Sequence, residues 1–195
     1  MRGLVAWPTG DDGVPLIDSH DRMDTYTDSN WGPQDASHPK DGETRTSELE
    51  MYSLLGSVVT YMGGPLDWSS IREKRCSRNV CEAEIKGMDE GVKTVLGLRH
   101  FFDDIGATHL AEPTPMLFCD NQGGVAWAHS EAITKRLRHS NIRETAVRDS
   151  IKLGEISLHH IPGRINPADL FTKEMKDKAH FYALRLALMS QRANT

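Results

Sequence analysis

Cysteine is scarce in this chain of 195 residues: only Cys76, Cys81 and Cys119 occur, too few for a complete disulfide framework. The spacing of Cys76 and Cys81 has no second ligand pair behind it, so reduced and mostly buried thiols are expected. Long apolar runs are absent as well. No stretch approaches the length needed to cross a bilayer, and the N-terminus lacks the basic, apolar and small-residue succession of a secretory signal. An intracellular, cytoplasmic protein without membrane association is therefore expected. Net positive charge is missing too, with 23 Lys and Arg against 28 Asp and Glu and a formal charge of −5. That balance argues against a protein that grips nucleic acid through overall charge.

What is present suits one globular domain, since 38% hydrophobic and 26% charged content in a chain of this length can build a real core. No internal repeat is visible. Residues 1–22 hold Pro8, Gly10, Gly13 and Pro15 among acidic residues, which predicts a connector or the remnant of an upstream segment. The domain itself is expected over 23–190, with 191–195 as a tail.

Within it, a strand over 23–31 is followed by a polar loop, Gly32 to Glu48, rich in Pro, Asp and Ser. Apolar runs Tyr52 to Met62 and Pro65 to Ser70 flank Gly63-Gly64, a hairpin signal. A helix is predicted from a cap at Asn79 to Gly106, with Val80, Met88, Val92, Val95, Leu96, Phe102 and Ile105 as its apolar stripe. A short buried strand over 113–120, a helix near 122–129, a helix from Ser140 to Leu153 ended by Gly154, and a strand from Glu155 to Ile161 follow. The last helix is predicted to start at the Asn166 cap with Pro167 first, its stripe being Phe171, Met175, Ala179, Tyr182, Leu186 and Met189. Trp31 and Trp68 read as core residues.

Four carboxylates fall at informative places in this scheme. Asp28 lies inside the first strand, Glu84 on the apolar stripe, Asp120 at the carboxyl end of a buried strand, and Asp169 in the first turn of the last helix. Three have an ordinary alternative: Glu84 could reach water or an arginine, Asp120 could cap the next helix, and Asp169 could offset the helix dipole. Glu82 lies off the stripe and reads as a solvated N-terminal residue. Buried together, the four would repel one another and lose hydration, so their convergence would require bound metal. Basic clusters at Arg72, Lys74, Arg75 and Arg78, at Lys135, Arg136, Arg138 and Arg143, and a single Arg164 read first as solvated surface. Flanking an acidic metal pocket, they would suit a phosphodiester.

The element order β-β-β-α-β-α-α-β-α predicts an α/β, ribonuclease H-like fold: a mixed five-stranded sheet of three antiparallel strands and then alternating strands and helices, flanked by helices. The residues also resemble a specific family, the RNase H domain of copia-type LTR retrotransposon polyproteins. Six blocks carry the resemblance in family order: Tyr26-Thr27-Asp28-Ser29-Asn30-Trp31, Gly63-Gly64-Pro65-Leu66-Asp67-Trp68-Ser69-Ser70, Cys81-Glu82-Ala83-Glu84, Phe118-Cys119-Asp120-Asn121-Gln122, Arg138-His139-Ser140-Asn141-Ile142-Arg143, and Asn166-Pro167-Ala168-Asp169-Leu170-Phe171-Thr172-Lys173. Departures from the family pattern fall at Ser29-Asn30, at Val80-Cys81 and in the loop from Gly32 to Glu48; none removes a carboxylate.

The resemblance implies that Asp28, Glu84, Asp120 and Asp169 are the catalytic, metal-binding quartet for two Mg²⁺ ions, with Mn²⁺ able to substitute. Asp28 would bridge both ions, Asp169 would help hold the one that activates water, and Glu84 and Asp120 the one that stabilises the departing 3′ oxygen. It further implies cleavage of the RNA strand of RNA·DNA hybrids without sequence preference, in partnership with the reverse transcriptase portion of the same polyprotein and within virus-like particles. The isolated domain is expected to be a monomer. Asn121, His139, Arg143, His160 and Arg164 are candidate substrate contacts; of the adjacent His159 and His160, at most one can face the site. Rival readings are an idle RNase H-like tether, a DDE integrase core and a non-enzymatic nucleic-acid binder. The acid order, with Glu second of four, disfavours the integrase, and the acidic balance disfavours the binder.

Overall fold

A computed structural model describes residues 21–31, 52–130 and 142–189. Three strands come first: β1 (Asp24–Asn30), β2 (Leu54–Tyr61) and β3 (Gly64–Arg72). The long helix α1 (Val80–Asp104) leads to β4 (Met116–Cys119), α2 (Gln122–His129), α3 (Ile142–Lys152) and β5 (Ser157–His160), and α4 (Lys178–Met189) closes the described chain. The sheet order is β3-β2-β1-β4-β5, with β1, β2 and β3 antiparallel and β4 and β5 parallel to β1. This is the mixed five-stranded arrangement expected. No described helix is long and apolar enough to cross a membrane.

Central β1 is buried on both faces. Thr25 and Thr27 face α1, and there Gly91 permits close approach, because a Cβ on it would stand 2.5 Å from the Thr27 methyl and 3.1 Å from Leu117. Val59, Met88, Val92, Val95, Leu117 and Leu158 fill this layer. On the opposite face Tyr26 stacks on Phe118 with ring centroids 5.0 Å apart, beside Val58, Ile161, Ala168 and Leu188.

Several local expectations are corrected. The hairpin turns on Met62-Gly63, both at positive φ (51° and 79°), while Gly64 already pairs with Tyr61. A two-residue turn matching the strand twist needs consecutive left-handed residues. Asn79 does cap α1, accepting from Glu82 N at 2.9 Å, but the stripe's ends, Val80 and Ile105, are exposed. The strands over 113–120 and 155–161 shorten to four residues each. Trp31 and Trp68 are exposed, not core: one lies just past the end of β1, the other on edge strand β3. Cys76 is exposed, whereas Cys119 is buried.

The last helix is interrupted. Asn166 and Pro167 open only a 3₁₀ turn, Pro167–Phe171, and α4 starts afresh at Lys178, where Asp177 accepts from Ala179 N and His180 N. That break resets the helical phase, so Leu184 and Leu188 are buried while Tyr182, Leu186 and Met189 are exposed. Residues 1–20, the loop from Gly32 to Glu48 and the Lys135 to Arg138 cluster lie outside the described residues.

Candidate metal centre

Parallel pairing of β1 and β4 ends with Thr27 beside Cys119, so the next residues, Asp28 and Asp120, emerge side by side at the carboxyl end of β4. Such ends are where α/β sheets gather ligands. Asp169 is brought to them by Asn166, which is fully buried: its Nδ2 donates to Thr27 O at 2.9 Å, and its Oδ1 accepts from Ala168 N at 3.1 Å. One side chain thus starts the 3₁₀ turn and pins it to β1. Gly56, opposite Asp28 on β2, leaves room for that turn, since a Cβ there would meet the Thr172 methyl at 2.5 Å and Ala168 O at 3.1 Å.

Carboxylate oxygens of Asp28, Asp120 and Asp169 lie within 4.8 Å of one another. Glu84 descends from α1 to form a second group with Asp120 and the Cys119 thiol, also within 4.8 Å. Asp120 is common to both groups. Glu82 faces elsewhere, accepting from Arg78 N and pairing with Lys86. Asn121, and not Asp120, caps α2 by accepting from Gly124 N at 2.9 Å.

Two donors within the site had no assigned role in the sequence reading. Lys173 Nζ lies 2.8 Å from Asp169 Oδ1 and 3.2 Å from Asp28 Oδ1, and the Thr172 hydroxyl donates to the other oxygen of Asp28. The i, i+4 spacing of Asp169 and Lys173 was the only local signal; nothing local joins either to Asp28.

Electrostatics follow from this crowding. Burial, then the charges of Asp28 and Asp120, push the Glu84 carboxyl up to about 8. Burial and Asp28 raise Asp169 to about 6 against the pull of Lys173, and the same two causes raise Asp120. Burial works against the Lys173 charge, but Asp28 and Asp169 outweigh it and hold the ammonium above its usual range. The Cys119 thiol is pushed well up by burial and by Glu84, to which it donates at 3.6 Å. Four carboxylates against one lysine leave an excess of hard, anionic oxygen, the donor chemistry that fits Mg²⁺ or Mn²⁺.

Around the rim, His160 Nε2 lies 3.1 Å from Asp120 O, whereas His159 turns away to the Phe118 ring and to Ser157 Oγ at 2.8 Å. Arg164 is exposed in a 3₁₀ turn whose Gly163 backs on Asp120. Trp31, 42% exposed, donates its indole N–H to Ser77 O at 2.9 Å and so stands beside the loop bearing Lys74, Arg75 and Arg78, all exposed. His139 and the side chain of Arg143 lie outside the described residues.

The architecture is similar to solved structures of known kind. An RNase H1 isolated from compost by a metagenomic approach (LC11-RNase H1) superimposes with a TM-score of 0.52 at 18% identity, covering 82% of this chain and 99% of that one. This is the ribonuclease H fold. The same compost RNase H1 in complex with an RNA/DNA hybrid gives a TM-score of 0.50 at 19% identity over 81% of this chain and 99% of that one. Prototype foamy virus protease-reverse transcriptase also scores 0.50, at 13% identity, covering 89% of this chain but 21% of the viral one. No protein-family model matches the chain. In sequence it is similar to retrovirus-related Pol polyproteins of plant transposons: TNT 1-94 of Nicotiana tabacum, 26% identical over 62% of this chain, and RE1 of Arabidopsis thaliana, 22% identical over 80%. The chain spans about a tenth of the length of these relatives, 9% and 10%. These similarities agree with the resemblance read from the six blocks.

Proposed function

We propose that this chain is the ribonuclease H domain of a retrotransposon Pol polyprotein, running over 23–190, and that it hydrolyses the RNA strand of RNA·DNA hybrids with a pair of divalent ions. The observation that carries the reading is the meeting of Asp28, Asp120 and Asp169 within 4.8 Å, with Glu84 reaching the same Asp120, where the β1–β4 pairing ends. The four carboxylates would hold two Mg²⁺, which when bound lower the pKa of an attacking water and neutralise charge at phosphorus. The remaining work falls to the chain. Asn166 and Gly56 fix the position of Asp169 relative to Asp28. Burial of Asp28 and Glu84 strips water from the ligands, so they would attract a divalent cation strongly, and the less covered Asp120 marks the open side from which a phosphodiester would approach.

The rim supports a charged polymeric substrate despite the acidic total. His160, Arg164 and the basic loop next to Trp31 can meet sugar and phosphate without reading bases, so cleavage would be independent of sequence. The reverse transcriptase portion of the same polyprotein is the proposed partner and the virus-like particle within the cell the proposed setting; the isolated domain would be a monomer. The test is cleavage of a hybrid with end-labelled RNA. Internal cuts leaving 3′ hydroxyls should appear with Mg²⁺ or Mn²⁺, vanish in chelator, and fall to background in a folded Asp28→Asn variant. Full activity of that variant, or uncut RNA with the wild-type chain, would remove the proposal.

A further inference from the structure

Lys173 holds a position that cannot be shared. Its ammonium is bonded to one oxygen each of Asp28 and Asp169, the two acids whose oxygens lie with that of Asp120 within 4.8 Å of one another. A divalent ion bound between those same oxygens would bring two cations into contact at low effective dielectric, where repulsion is severe. Thr172, next in chain, occupies the other Asp28 oxygen with its hydroxyl. The 172–173 turn therefore presents a hydroxyl and an ammonium to one carboxylate. The Lys173 side chain keeps a third of its surface, 33%, open to solvent, and its flexible four-carbon stem gives it a way out.

We infer that Lys173 is a built-in counter-cation of the metal-free site, bridging Asp28 and Asp169 until a divalent ion displaces it to the site's open side. The inference rests on the reading of this cluster as a divalent-ion site, but not on which substrate is cut. Two consequences follow. The metal-free protein is held together by Lys173, because breaking a buried ion pair leaves uncompensated charge. Metal affinity is lowered by Lys173, because every ion that binds must first replace it, and competition of this sort is reciprocal.

The test uses the full chain and Mg²⁺ alone. Lys173→Met should melt at lower temperature than wild type in chelator, regain most of the difference when Mg²⁺ is added, and bind Mg²⁺ about tenfold more tightly by calorimetric titration. Lys173→Arg keeps the charge with a fork that can hold both carboxylates, so it should stay stable in chelator and bind Mg²⁺ less tightly than wild type. Unchanged or weaker Mg²⁺ binding by Lys173→Met, or an equal loss of stability with and without Mg²⁺, overturns the inference. If Lys173→Met does not fold under either condition, Lys173→Arg decides, and unchanged or tighter Mg²⁺ binding in it overturns the inference instead. Both readouts are independent of cleavage: a wild-type chain that leaves hybrid uncut yet shows this exchange would remove the ribonuclease reading and keep the displaced lysine.

Discussion

Near its start, helix α1 sends Glu82 to one buried group and, two residues on, Glu84 to another. In the first, Lys86 Nζ lies 3.0 Å from Glu73, 3.2 Å from Glu82 and 2.9 Å from Ser77 Oγ, and Ser77 in turn donates to Glu73. Two acids face one lysine, a hydroxyl and, through Glu82, the Arg78 N–H. In the second, four acids face one lysine, the Thr172 hydroxyl and the Cys119 thiol, and three of the four carboxyls are pushed upward in pKa. Burial of acids is common to both groups, so burial is not what marks the site. The difference is surplus: the first cluster satisfies its charges with its own donors and ties the loop before α1 to the helix, whereas the second still needs cations.

The contrast is most sharply tested in rate. Glu84→Gln should lower hybrid cleavage by about a hundredfold or more, since even partners one layer outside a metal site cost tenfold to a hundredfold, while Glu82→Gln should leave the rate per folded molecule unchanged. Equal effects in a side-by-side Mg²⁺ assay would dissolve the distinction. Gly56→Ala comes next. Its Cβ would press on Thr172 and Ala168 and shift Asp169 relative to Asp28, with an expected loss of about tenfold in turnover and little change in helix content by circular dichroism. Wild-type turnover would mean that the turn tolerates displacement.

Lys86→Met breaks the balanced cluster instead, and about 3 kcal/mol of stability should be lost in urea unfolding with cleavage per folded molecule intact. A fall in turnover without destabilisation would put that cluster in the chemistry. The last test concerns pH in chelator. Folded Glu84 binds its proton more tightly than in the unfolded chain, so its stabilising contribution is complete below about 4.5 and is lost as pH rises through about 8. Glu84→Gln has no such proton to lose, so its melting temperature should gain on wild type over that interval. Parallel pH profiles would show that Glu84 does not carry the charge excess.

Much of the positioning was legible locally. The 3.6-residue period separates Glu84 from Glu82, and Asn79 and Gly154 mark helix ends that the structure keeps. Other features were not. Asn166-Pro167 followed by apolar residues at helical steps reads the same whether or not the helix continues; here Asn166 is tied to Thr27 and Thr172 to Asp28, and the chain leaves the helix at that anchor. Trp31 and Trp68 look like core by composition, but one lies past a strand end and the other on an edge. Lys173 meets Asp28 across 145 positions of sequence, beyond the reach of any local pattern.

By itself the order of residues determined which segments are strands and helices, the mixed sheet they build, and which acids lie at strand ends or on a buried stripe, because these depend on periodicity, caps and glycines acting within a few residues. Only the tertiary structure decided that Asp120 is shared between two acidic groups, that Asn121 is the cap, and that a lysine stands between Asp28 and Asp169. Those outcomes turn on distances between chain-remote side chains and on the dielectric they share, quantities set when the sheet closes against α1 and the 3₁₀ turn.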